Sequence, residues 1–126
     1  MNVAGFAAVA FGAVLGAWLR WGLVTWLNPA NPNLPYGTLA ANIGGGYAIG
    51  LAVAFFSANA TIAPEWRIAC ITGFLGALTT FSTFSAESME LLLAGRYGAA
   101  VIHSGTHLLG SIAATFLGFL TYRAVT

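Results

Sequence analysis

The sequence predicts an all-α integral membrane protein, a single domain over residues 1–126 with four transmembrane helices. Three observations predict it. Hydrophobic residues make up 59% of the chain and charged residues only 6%, against about 25% charged in an ordinary soluble domain. Four apolar stretches are each long enough to cross a bilayer, which takes roughly 20 residues. None of the four shows the period-two alternation of a barrel strand. So few charges cannot coat a soluble surface. The composition excludes a soluble globular domain, a disordered chain and a nucleic-acid binder. The single cysteine, Cys70, lies in an apolar run, which excludes an intrachain disulfide and a cysteine-based metal site.

The spans fall at about 3–27, 36–58, 66–94 and 98–122. The first carries one charge, Arg20, near its end. It has no basic leader and no clear cleavage site, so it reads as a mature helix and not a signal peptide. The second carries no charge. The third has Arg67 at its start and Glu87 and Glu90 near its end, and the fourth is closed by Arg123. Turn chemistry separates them: an Asn/Pro-rich run over 28–35, then 57–64, then Gly95-Arg96-Tyr97-Gly98. Many of the 16 glycines stand in small-xxx-small spacing, such as Gly12/Gly16 and Gly46/Gly50, the pattern of close helix–helix contact. Four thin helices rich in small residues predict an oligomer.

Orientation normally follows Lys and Arg in short cytoplasmic loops. With the N-terminus inside, Arg67 and Arg123 lie inside and Arg20 and Arg96 outside. That balance predicts dual topology and an antiparallel homodimer, a two-fold pair being the commonest closed assembly.

Polar groups at membrane depth are functional hypotheses by default. Asn42, in the second span, offers two N–H donors and an acceptor. It fits either an interhelical hydrogen bond or a donor facing an anion. The third span runs Gly73-Phe-Leu-Gly76-Ala-Leu-Thr79-Thr80-Phe81-Ser82-Thr83-Phe84-Ser85. Its glycines weaken a helix and its hydroxyls compete for backbone groups, so a break is expected around 76–80. Freed carbonyls need a partner, and a buried cation is one candidate. Phe81 and Phe84 share a face at i, i+3. Ring edges are positive, and turned into a passage they would attract a small anion weakly enough to let it leave. In the fourth span, His103, His107, Ser111 and Thr115 recur every four residues and form a polar stripe some 18 Å long. Interhelical hydrogen bonding and a permeation path both fit that stripe. A metal lacks a third ligand at motif spacing. Glu87 is either interfacial or close enough to the hydroxyl run to belong to the pathway or accept from nearby donors. Arg20 either snorkels or holds the entrance loop.

These residues resemble the Fluc family of fluoride channels. The motif from Gly73 to Ser85, Gly37-Thr-Leu-Ala-Ala-Asn42 before it, and Gly16-Ala-Trp-Leu-Arg20-Trp in the first span carry the likeness, which covers all four spans. The resemblance implies passive export of cytoplasmic fluoride through two pathways in an antiparallel homodimer, in a prokaryotic plasma membrane. It implies that Asn42, Phe81 and Phe84 line the pathway, with Ser111 and Thr115 as a polar track and Thr38 and Glu87 as polar positions near the pore. His103 and His107 fall on the same stripe. It further implies a central structural Na+ held by the carbonyls of Gly76 and Thr79, and a basic residue, Arg20, ending the first helix.

The competing reading is a small proton-coupled multidrug-type exporter. That mechanism needs a membrane-embedded carboxylate, typically in the first helix. The only acids here are Glu65, Glu87 and Glu90, all towards segment ends. A membrane enzyme would need clustered carboxylates or a phosphate-binding loop, and neither is present, so no catalytic residue is expected.

Overall fold

Asn2 caps the first helix: its side chain accepts from the amide of Gly5 at 2.8 Å. The computed structural model describes residues 1–126, all helix and short connections. Helix α1 is Val3–Leu27 and α2 is Tyr36–Ala58. A short 3₁₀ turn, Asn28–Ala30, and three prolines lie between them, where chain lacking amide donors and fixed in φ cannot continue a helix.

The third span is built in pieces. It begins with α3, Pro64–Arg67, continues as a π-helical stretch, Ile68–Leu75, and closes its first limb with α4, Gly76–Leu78. Thr79 (φ −79°, ψ 149°) and Thr80 (φ −148°, ψ 108°) are extended. The second limb, α5, is Phe81–Leu93. Its end is fixed by Gly95 at φ +71°. The amide of Gly95 bonds to Leu92 and that of Arg96 to Leu91, a paired closure that needs a left-handed residue. Helix α6, Tyr97–Val125, completes the chain.

Four spans of 23 to 30 residues are thus long and apolar enough to cross a membrane. The expected break is present but shorter than expected: Gly76 stays helical, and only Thr79 and Thr80 leave the helix. The third span starts at Pro64 and not Trp66, because proline fits the first helical turn, where its missing amide costs nothing.

α1 lies along the first limb of the third span, and α2 lies along α6. Glycine permits both contacts. A Cβ on Gly12 or Gly16 would strike the carbonyls of Ala69 or Phe74, and one on Gly50 or Gly118 those of Thr115 or Tyr47. The apolar core is small, formed by Ala41, Ala52, Leu75 and Leu78. The largest fully buried side chains are Leu75, His103 and Thr38. Two of these three are polar, so the bundle is apolar outside and carries polar groups at its centre. That is the distribution a lipid solvent selects.

Candidate functional site: a polar network at the helix break

The break is held by side chains from two other spans. Asn42 on α2 faces Thr80. Its Oδ1 accepts the Thr80 amide at 2.6 Å, and its Nδ2 donates to the Thr80 carbonyl at 3.0 Å. The Thr80 hydroxyl accepts the Thr83 amide at 3.1 Å and so starts α5 as an N-cap. From α1, Arg20 donates its Nε–H to the Ala77 carbonyl at 2.9 Å. Arg20 thus supplies a donor to the first limb of the broken helix.

These bonds decide which carbonyls are left free. In an unbroken α-helix the Thr80 amide would serve Gly76, and the Thr83 amide would serve Thr79. Here Thr80 bonds to Asn42 and Thr83 to the Thr80 hydroxyl. The Gly76 and Thr79 carbonyls have lost their regular partners. Thr79 spends its own amide (3.0 Å) and hydroxyl (2.9 Å) on Leu75.

A second cluster lies one to two turns along α5. Glu87 Oε1 accepts from the Thr38 hydroxyl at 2.5 Å and from Asn28 Nδ2 at 3.4 Å. Its other oxygen, Oε2, is 3.0 Å from His103 Nε2. Asn28 also accepts the Thr38 amide at 3.0 Å. Ser88 reaches His103 Nδ1 at 3.0 Å and the Ser104 hydroxyl at 3.1 Å. The network joins the end of α1 to α2, α5 and α6, so a carboxylate at membrane depth is surrounded by donors.

Phe84 connects the two clusters. Its ring stacks on His103 (5.5 Å between centroids) and on His107 (4.9 Å). Phe81 meets Phe84 edge-on at 5.2 Å and is itself 76% exposed in the single chain. His107 is buried and its Nδ1 lies 3.1 Å from Asn42 Nδ2. Since an amide nitrogen can only donate, Nδ1 must accept, and the ring proton sits on Nε2. That Nε2–H is buried and has no partner. A cavity of about 290 Å³ opens here, lined by Asn42, Thr80, Phe81, Phe84, His107 and Ser111. A larger groove, about 820 Å³, lies between the start of α1 and the π-helical stretch, with only Asn2, Glu65 and Thr72 as polar lining. The polar side chains, not size, mark the smaller cavity as the candidate.

The residues singled out from sequence divide into groups. Thr38, Glu87 and His103 meet at one cluster, and Asn42, Phe81, Phe84, His107 and Ser111 at the other. Thr115 stands apart, its hydroxyl bonded to the Ser111 carbonyl of its own helix at 2.9 Å. Asn28, Thr80, Ser88 and Ser104 were not singled out. Thr80 carried a signal, since threonine is a favoured N-cap residue and stands where the helix was expected to break. Asn28 looked like turn chemistry alone, and Ser104 lay off the stripe.

Comparison with known proteins gives the family. Residues 7–119 match the family described as CrcB-like protein, Camphor Resistance (CrcB). A fluoride-specific ion channel FluC of Cupriavidus pinatubonensis is 58% identical over 123 residues, 98% of each chain. Proteins of the same name from Ralstonia nicotianae (55% over 125 residues, 99% of each) and Thiobacillus denitrificans (54% over 118 residues, 94% of this chain and 95% of that one) are also similar.

Proposed function

Because this chain belongs to the CrcB family, we propose that it is a fluoride channel of the bacterial plasma membrane, passing the anion down its gradient without chemistry on it. The observation that carries the reading is 58% identity over 98% of the chain to a protein named as such a channel. The site supports it. Fluoride leaving water needs donors, yet conduction needs binding weak enough for release. No carboxylate or arginine lines the cavity: its polar groups come from Asn42, Thr79, Thr80, His107 and Ser111, beside the Phe81 and Phe84 rings. Arg20, the cation near the break, is engaged with the Ala77 carbonyl. Asn42 holds the break and the His107 ring together while lining the cavity. The exporter alternative finds no support among these relatives.

The working unit in this proposal is an antiparallel homodimer with two pathways. The two-fold would bring the exposed Gly76 carbonyl and the Thr79 carbonyl of both copies around one Na+. The diverted amides of Thr80 and Thr83 are what fit these two carbonyls for it. The ion would supply a fixed positive charge and tie the two broken helices together; no bond is made or broken.

Liposomes loaded with fluoride and holding no proton gradient test the reading. Purified protein should release fluoride at least tenfold faster than chloride, a difference of about 1.4 kcal/mol in barrier. Phe84→Ile should slow release while leaving the protein folded. Equal rates for the two halides would remove the proposal.

A further inference from the structure

We propose that Glu87, His103 and His107 form a binding site for a divalent transition-metal ion of the zinc class, separate from the Na+ position. One ligand atom from each of the three lies within 4.8 Å of the others. A tetrahedral ion with bonds of about 2.0–2.1 Å sets its ligands roughly 3.4 Å apart. The observed set is therefore close to a chelating arrangement and needs contraction by an ångström or so. Two histidines at i, i+4 on one helix face are the spacing by which helices chelate zinc, and here their rings are 4.6 Å apart. Glu87 completes a two-histidine, one-carboxylate set of the kind that leaves a coordination position open.

Three further observations favour an ion. His107 is 3% exposed and its Nε2 has no partner, so an ion would satisfy an otherwise orphaned buried atom. The outer groups that orient metal ligands are already present. Ser88 holds His103 Nδ1, leaving Nε2 for the ion. Thr38 and Asn28 hold Glu87 Oε1, leaving Oε2.

Two contacts oppose it. His103 Nε2 donates to Glu87 Oε2 at 3.0 Å, and an ion must part them and send that proton to Nδ1, where the Ser88 hydroxyl can accept it. Asn42 donates to His107 Nδ1 and so keeps the proton on Nε2. An ion taking Nε2 moves that proton to Nδ1, which then faces the Asn42 amide hydrogens. The wild-type site is accordingly modest in affinity, and an acceptor at position 42 would strengthen it. A bound ion would lie beside Phe84, which stacks on both histidines. On the channel reading it would hold fluoride too tightly to pass, so the metal would act as a blocker.

Titration of the purified full chain with Co2+, and equilibrium dialysis with Zn2+, test the site without any transport assay. The expected result is the intense visible spectrum of low-coordinate Co2+, displaced by Zn2+ at one equivalent per chain. His103→Ala and His107→Ala should each weaken binding at least tenfold by removing a ligand, and Asn42→Asp should tighten it by about 10–100-fold, the range for outer-sphere changes. A wild-type spectrum no different from aqueous Co2+ overturns the site, and this result needs no variant to fold. Zn2+ uptake unchanged in both histidine variants overturns it too. Fluoride efflux from the same preparation separates the two readings. Efflux with no cobalt signal removes the metal site and leaves the channel standing. A cobalt signal with no efflux supports the site and counts against the channel.

Discussion

Asn42 shows how much one amide can hold. It closes two hydrogen bonds on Thr80 and sets the proton of His107. Truncation would leave a buried amide and carbonyl unpaired, each costing about 1–3 kcal/mol. Asn42→Ala is therefore expected to lower thermal stability in detergent and to slow fluoride efflux together. Asn42→Asp keeps the acceptor for the Thr80 amide but turns a carboxylate oxygen on the Thr80 carbonyl, so it should lose stability as well. The sequence offered two uses for this residue, gluing helices or facing an anion, and the structure shows it bonded across helices while lining the cavity. Residue type and depth singled out Asn42, Glu87, His103 and His107, and the structure brings all four into side-chain hydrogen bonds between helices. They were not enough to find Asn28, whose partners Thr38 and Glu87 lie 10 and 59 residues away. Contacts at such separations leave no local pattern.

At the level of elements, the first two spans were legible to the residue. Apolar runs ending in proline and asparagine leave the chain little choice, and Val3–Leu27 and Tyr36–Ala58 match the expected 3–27 and 36–58. The break was legible as a weakness over 76–80; its restriction to Thr79 and Thr80 depends on Asn42 and the Thr80 cap, which are tertiary and local effects acting together. The π-helical stretch Ile68–Leu75 was not legible, since Gly73 marks a weakened helix without saying how its hydrogen bonds are redrawn. It runs where Gly73 meets Val9 and Gly12 of α1, so packing is the visible correlate. The α2–α6 contact gives a direct test. Gly50→Leu would drive a side chain into the Thr115 backbone, and overpacking of this kind costs about 1–3 kcal/mol or more. A lowered melting temperature is expected, with Gly22→Leu, where a Cβ meets nothing, as the neutral control.

For the whole molecule, the arginines bear on assembly. Arg20 is drawn inward to Ala77, so the arginines left to face the loops are Arg67 and Arg123 on one side and Arg96 on the other. A difference of one charge is a weak orientation signal, and the dual-topology proposal survives it. Three lysines added to the 31–33 loop should force one orientation and abolish most efflux. Co-expression with a copy biased the opposite way should restore it; undiminished efflux from the forced form alone would count against an antiparallel unit. The placement of Glu87 and His103 also has a consequence for biogenesis. A polar group that enters the bilayer unpaired is costly. The two groups are 16 residues apart and meet at 3.0 Å across the tight reversal at Gly95. The last two segments can thus enter the membrane as a hairpin whose two polar groups already satisfy each other.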